Sequence, residues 1–356
     1  MFTTNGIYIV LALAVAFLLA FAATPAVIAF AHKINAIDVP KDERRVHKKP
    51  IPLIGGLGIF YGFAISVLCF GVIDRQVMGI ILGSIIMGIV GVIDDMNCLS
   101  AKVKLLFQVI AALVAINFGT EIHYIANPFA NWFGPAYINL GIWAVPVTLL
   151  WIVGITNAVN LIDGLDGLAV GVSSIASVAL LALTIISKDH NVAIITAALA
   201  GAGFGFLPYN FNPAKIFMGD TGSTFLGYVL ACVAVQGLMK TYAVISFAVP
   251  VLILGLPIFD TTFAIIRRII KHKPIMSPDR GHLHHRLLDM GFSQRQTVAI
   301  LYTLTSLLCL TGVVMALKDA YRGFILVAAV IIIVFATVLL KERNDTNVEE
   351  NENGQN

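Results

Sequence analysis

The chain has 356 residues, 58% of them hydrophobic and 12% charged, with a formal net charge of +3 and a mean hydropathy of +0.90. Soluble domains are about half apolar and about one quarter charged, so this composition excludes a soluble globular protein and predicts a polytopic membrane protein. The four cysteines, Cys69, Cys98, Cys232 and Cys309, show no paired spacing and predict neither a disulfide framework nor a metal site.

The opening run from Ile7 to Phe30 is too long for a removable signal, and it lacks a basic start and a small-residue cleavage site. It reads as the first span. Further apolar stretches of spanning length lie at about 53–73, 77–93, 102–119, 141–160, 168–187, 191–208, 221–238, 243–266, 297–317 and 323–340. That makes eleven transmembrane helices, an all-α fold with residues 1–340 as one membrane-embedded domain. Eighteen of the 23 Lys and Arg residues fall in one set of loops or in the tail, which places the N-terminus outside and the C-terminus in the cytoplasm. Apart from Asp74, Glu121, Asp189 and Asp319, every Asp and Glu falls on that same inner side. Chemistry is therefore expected in cytoplasmic loops. The outer segment 120–140, with Pro128, Trp132, Pro135 and Tyr137, reads as an interfacial hairpin or short surface helix. The polar, acidic tail 341–356 is expected to be disordered, and no internal repeat is evident.

The first inner loop carries Arg44, Arg45, His47, Lys48 and Lys49, followed by Pro50, Pro52 and Gly55-Gly56. Such a segment is either a basic anchor for lipid head groups or a grip for a phosphate. The prolines and paired glycines favour the grip, because they hold the cations close to the surface. The second loop opens on Asp94 and Asp95. Adjacent carboxylates at a helix end repel each other unless a cation joins them or one takes up a proton. Mg²⁺ is commonly held by one or two carboxylates plus substrate phosphates.

Next comes Asn157, Asn160, Asp163, Gly164, Asp166 and Gly167, at the end of a spanning run. Asn157 and Asn160 are one helical turn apart, and the glycines let the backbone leave the helix. A helix end that has merely reached water explains one such acid, not this cluster of polar groups. The segment from Asn210 and Asn212 to Phe217, Gly219, Asp220, Thr221, Gly222 and Ser223 precedes another apolar helix. Asp220 there is either a helix cap or, beside free N–H groups that suit a phosphate, a metal ligand. Asp260 lies inside an apolar run just after Pro257. Its partner is either the same cavity or a nearby Arg267 or Arg268. The last inner loop contains Arg280, His282, His284, His285 and Arg286. Phosphate binding, a zinc site and a plain solvated loop all remain open, although the arginines oppose a cation and no Cys completes a zinc ligand set.

Taken in order, Arg44-Arg45-Val-His47, Pro52-Leu-Ile-Gly-Gly56, Asp94-Asp95, Asn157 to Ala169, Phe217 to Ser223 and His282-Leu-His-His285 resemble the polyprenyl-phosphate N-acetylhexosamine-1-phosphate transferase superfamily, glycosyltransferase family 4. The better match is the branch that moves GlcNAc-1-phosphate onto undecaprenyl phosphate to start wall teichoic acid or O-antigen. The phospho-MurNAc-pentapeptide branch typically has Pro-Thr-Met-Gly-Gly where this chain has Pro52-Leu-Ile-Gly-Gly56.

The resemblance implies an eleven-span enzyme of the bacterial inner membrane. It implies UDP-GlcNAc and undecaprenyl phosphate as substrates, UMP as leaving group, membrane lipids as surroundings and no nucleic-acid partner, and it leaves a homodimer open. It implies Mg²⁺, replaceable by Mn²⁺, with Asp220 as ligand and Asp95 and Asp94 beside it. Asp94 would deprotonate or orient the lipid phosphate. Asn157, Asn160, Asp163, Gly164 and Asp166 would line the nucleotide-sugar pocket, Asp166 on the uracil side. Arg45, His47, Lys48, Asn212, Phe217 and Arg280 would complete substrate binding, and His282, His284 and His285 would act with the acids in catalysis. The alternatives are another donor, UDP-GalNAc or UDP-MurNAc-pentapeptide, or a transporter of lipid-linked sugars. A transporter predicts polar groups near the bilayer midplane, whereas these cluster at inner helix ends.

Overall fold

The computed structural model describes residues 4–39, 50–126, 135, 137–237, 247–274, 281–317 and 325. It is mostly helical. The helices are α1 (Thr4–Lys33), α2 (Gly56–Phe70), α3 (Arg75–Asn97), α4 (Ala101–Asn117), α5 (Ala144–Leu161), α6 (Leu168–Ile186), α7 (His190–Asn210), α8 (Gly219–Gly237), α9 (Ala248–Ile253), α10 (Gly255–Ile270), α11 (Leu283–Asp289) and α12 (Gln294–Ala316). Six of the described helices are long and apolar enough to cross a membrane: α1, α3, α5 with its leading turn, α6, α7 and α12. The chain is thus a multi-pass membrane protein.

Ten of the eleven apolar stretches fall on described helices, while 323–340, apart from residue 325, and the tail lie outside the described residues. The stretch 243–266 is not one rod. It breaks at Leu254 into the six-residue α9 and the longer α10, with Pro257 in the first turn of α10, where its missing N–H leaves no bond unmade. The all-helical expectation also needs a small correction. Two antiparallel ribbons are present, β1 (Ile37–Asp38) with β2 (Ile51–Pro52) and β3 (Tyr124–Ala126) with β4 (Tyr137–Asn139). The second is the hairpin expected in 120–140.

Helix α8 is the axis of the bundle. Every residue from Thr221 to Gly237 is buried, and α8 packs on α3, α5, α6 and α2. Without a hydrophobic drive between helices in lipid, close packing of small residues supplies the contact, and α8 is rich in Gly, Ala, Ser and Thr. Its one buried phenol is satisfied, since Tyr228 Oη donates to the Gly79 carbonyl at 3.1 Å. The main apolar core runs from Ala16 on α1 to Ala316 on α12, with smaller clusters around Ala12 and Ala193 and around Ala31 and Ile54.

The segment after β2 runs beside the start of α8. Phe217 N donates to Pro52 O at 2.9 Å, Gly55 N to Phe217 O at 2.9 Å and Gly56 N to Met218 O at 2.9 Å. Pro52 to Gly56 therefore fixes the backbone that leads into Asp220.

Candidate active site

A cavity of about 390 Å³ opens where α3, α5, α8, α11 and α12 begin or end. Its wall contains Asp95, Asn160, Asp163, Gly164, Asp166, Phe217, Asp220 and His285, all expected from the sequence, Leu53 and Asn210, which lie in the motif segments but were given no role there, and Asp38 and Gln294, which were not expected. Five carboxylates share this wall, so an anionic ligand is repelled unless protons or cations offset their charge.

Asp95 is the clamp on α8. Its Oδ1 accepts from Asp220 N at 2.8 Å, and its Oδ2 accepts from Thr221 N at 3.1 Å and Thr221 Oγ1 at 2.6 Å. These are donors that a helix start leaves without intrahelical partners, so a carboxylate from α3 caps α8 in a favourable place for negative charge. The clamp turns the Asp220 side chain toward α4 and α5. Asp220 Oδ1 accepts from Asn160 Nδ2 at 3.0 Å, and that amide also donates to Ser223 Oγ at 2.8 Å. Asp220 Oδ2 meets the Lys104 ammonium at 2.5 Å, and the same ammonium pairs with Asp94 Oδ2. Asp94, buried, also accepts from Leu99 N at 2.6 Å.

Asp94 and Asp220 thus meet across one cation. A pair of carboxylate oxygens that already grips an ammonium has the charge and the hard oxygen donors that suit Mg²⁺, with remaining positions left for water or phosphate. Asp95, with both oxygens engaged by α8, serves that pair by holding Asp220 in place. Among the described residues, no three His, Cys, Asp or Glu side chains form a ready-made metal cage, so the donor set fits an open site completed by a ligand.

Helix α5 ends at Leu161, and Asp163 stands in the following turn, half-buried in the cavity wall. Burial, with the charges of Asp220, Asp95 and Asp166 added, pushes its carboxyl up to about 8. Asp166 is tied into the neighbouring loop. Its Oδ2 accepts from Asn212 Nδ2 at 2.9 Å and from Ala214 N at 3.0 Å. Asn210 bridges the same two loops, accepting from Gly167 N at 3.1 Å and donating to Ile216 O at 2.9 Å.

The histidines divide their work. His285 is in the cavity wall. His284 is buried against the loop at Gly164, where an added Cβ would come within 2.9 Å of the imidazole Cε1. Burial, then the nearby His285, lowers its pKa to about 4, so it is neutral at physiological pH. His282 donates from Nδ1 to Asp260 Oδ2 at 2.8 Å, and Asp260 Oδ1 accepts from Leu283 N at 2.7 Å. Asp260 therefore anchors the start of α11. These bonds to His282 and Leu283 answer the question of its partner.

Asn157, expected at the substrate, is not in the cavity wall. It forms a reciprocal amide pair with Gln108 on α4, at 2.6 and 3.2 Å, and donates to Val153 O at 2.8 Å. Asn212 stands one step back, holding Asp166 and Gln294. Arg45, His47, Lys48 and Arg280 lie outside the described residues. Lys104 was visible in sequence only as one of two lysines after Asp94 and Asp95. The tight turn at Cys98 to Ser100, with Cys98 at a φ of 48°, returns it to them.

Residues 77–238 match the family model described as glycosyl transferase family 4. The chain is 41% identical to the probable undecaprenyl-phosphate N-acetylglucosaminyl 1-phosphate transferase of Bacillus subtilis, over 94% of this chain and 91% of that protein. It is 32% identical to the decaprenyl-phosphate N-acetylglucosaminephosphotransferase of Mycobacterium leprae, over 92% and 89%. It is 31% identical to the phospho-N-acetylmuramoyl-pentapeptide-transferase of Clostridium botulinum, over 81% and 90%.

Proposed function

The chain belongs to glycosyl transferase family 4, and from that premise we propose that it transfers GlcNAc-1-phosphate from UDP-GlcNAc to undecaprenyl phosphate, releasing UMP. The observation that carries this reading is the meeting of Asp94 and Asp220 across one cation beside a cavity that also holds Asp163 and Asp166. The relatives of the GlcNAc type support this donor over the muramoyl-pentapeptide one.

The reaction joins two anions. Two unit charges about 4 Å apart repel by roughly 4 kcal/mol at an effective dielectric of about 20, enough to slow a step by about a thousandfold. Phosphoryl transfer is catalysed mainly by positioning and charge stabilisation, so the site must supply cations where the phosphates meet. Asp220 and Asp94 would hold Mg²⁺, which when bound neutralises the donor pyrophosphate as a Lewis acid. Asn160 orients the Asp220 carboxylate. Lys104, on releasing either carboxylate, brings an ammonium to the incoming phosphate. Asp94 orients the lipid phosphate, whose oxygen attacks the phosphorus next to the sugar, and the bond to UMP breaks. Direct attack needs no enzyme nucleophile, because the acceptor is already an anion. Asp166 takes the nucleobase side of the cavity, and His285 meets phosphate charge. The apolar runs support eleven spans, the loop charge asymmetry an external N-terminus and a cytoplasmic site, and the bacterial relatives a bacterial inner membrane.

The test is UMP release from UDP-GlcNAc in detergent with undecaprenyl phosphate and Mg²⁺. Asp220→Asn is expected to fold, by thermal unfolding, yet to lose nearly all activity; full activity in that variant would remove the metal assignment. A folded wild-type protein that released no UMP would favour lipid-linked sugar transport instead.

A further inference from the structure

Three side-chain amides stand in the cavity wall, and their hydrogen bonds divide them. Asn210 spends both ends on backbone, and Asn160 spends its NH₂ on Asp220 and Ser223. Gln294 differs. Its Oε1 accepts from Asn212 Nδ2 at 2.8 Å, and among the described residues its NH₂ makes no bond.

The polarity of this contact is forced by the chemistry of the chain of partners. The Asp166 carboxylate only accepts, so Asn212 must present its NH₂ to it. Arg295 only donates, and its Nε reaches Asn212 Oδ1 at 3.3 Å, which fixes Asn212 from the other side. The second hydrogen of the same NH₂ then requires the oxygen of Gln294, and this turns the Gln294 NH₂ away from Asn212. Gln294 is also the first residue of α12, whose start is locked by a capping box between Ser293 and Gln296. One amide nitrogen thus holds a carboxylate and a carboxamide side by side in the wall, leaving, among the described residues, one free acceptor, Asp166 Oδ1, and one free donor, Gln294 Nε2.

An acceptor beside a donor is complementary to a ring N–H next to a C=O. That is the imide edge of uracil. Cytosine presents an unprotonated ring nitrogen and an amino group at the same two positions, so it sets acceptor against acceptor and donor against donor. We propose that Gln294, paired with Asp166 through Asn212, is a specificity-determining residue that selects a uracil nucleotide over a cytosine one. This rests on the transferase reading given above and adds to it the residue that reads the base. A site built to hydrogen-bond a ligand rejects the mismatched analogue strongly, because its own buried polar groups are left unpaired.

The experiment measures UMP and CMP binding to the full-length protein by calorimetry, alongside transfer from UDP-GlcNAc. Wild type is expected to prefer UMP over CMP by at least about tenfold. Gln294→Glu, which replaces the donor by an acceptor, is expected to lower that preference by about tenfold and to raise KM for UDP-GlcNAc more than it lowers kcat. Gln294→Met, which keeps the shape without the donor, is expected to weaken UMP without strengthening CMP, and it carries the test if the Glu variant does not fold. Equal wild-type affinity for the two nucleotides, or an unchanged UMP preference in either folded variant, overturns the proposal. Selective UMP binding that depends on Gln294 in a protein with no transfer would sink the transferase reading and leave this one standing.

Discussion

Gly56 at the start of α2 is the most economical place to test how tightly the site depends on backbone packing. A Cβ built there would stand 2.6 Å from the Thr221 carbonyl carbon and nearer still to Gly222 N and Cα, all backbone atoms that no rotamer can move aside. Ordinary contact begins at 3.4 Å, so in Gly56→Ala the Thr221 carbonyl carbon must recede by 0.8 Å and the nearer Gly222 atoms by more, which separates α2 from the first turn of α8. Alanine gains roughly 0.5–1 kcal/mol as a better helix former, but overpacking costs roughly 1–3 kcal/mol, so the net effect is a modest loss of stability. The larger effect is on rate. The moved segment carries Asp220 and is tied to α2 through the Gly56 N to Met218 O bond, and a displacement of about 1 Å can cost about a hundredfold. Gly56→Ala is therefore expected to lower kcat for GlcNAc-1-phosphate transfer by roughly tenfold to a hundredfold, with a fall of a few degrees in the unfolding midpoint. Gly88→Ala on α3 is the control, since nothing lies within 4 Å of the added carbon. If Gly56→Ala kept kcat within threefold of wild type, the claim that this contact sets the position of Asp220 would be wrong.

Asp260→Asn leaves one oxygen to serve two donors, His282 Nδ1 and Leu283 N, so one buried group goes unpaired at a cost of roughly 1–3 kcal/mol. Transfer is expected to fall about tenfold or more, along with a lower unfolding midpoint; wild-type kinetics would show that the clasp on α11 is dispensable. Asp163 is held neutral below about pH 8 by burial and neighbouring carboxylates, so it becomes charged, and repels an anionic nucleotide, as pH rises through that value. UMP affinity measured in chelator is thus expected to decline across pH 7 to 9 in wild type and to decline less steeply in Asp163→Asn. Matching pH profiles for the two proteins would refute the assignment.

Helix positions were legible because bilayer thickness demands long apolar runs, and composition alone records length. Continuity is another matter. The break at Leu254 depends on α9 and α10 packing differently against α12, a tertiary choice on which mean hydropathy is silent. Much of the site was legible for a related reason: carboxylates and amides at membrane helix ends are costly, so Asp94, Asn160, Asp163 and Asp220 stood out. Asn157 stood out equally and proved to be paired with Gln108, because sequence shows that a polar group needs a partner without naming it. Lys104 and Gln294 were hidden among ordinary loop and helix-start residues, where polar side chains carry no penalty and hence no signal.

The wall of the cavity is drawn from positions as early as Asp38 and as late as Gln294. A ribosome making this chain therefore delivers the acids first and the closing histidine and glutamine last. Until α11 and the start of α12 have packed against the loop at Gly164, the nascent cup lacks the part of its wall that His285 and Gln294 supply.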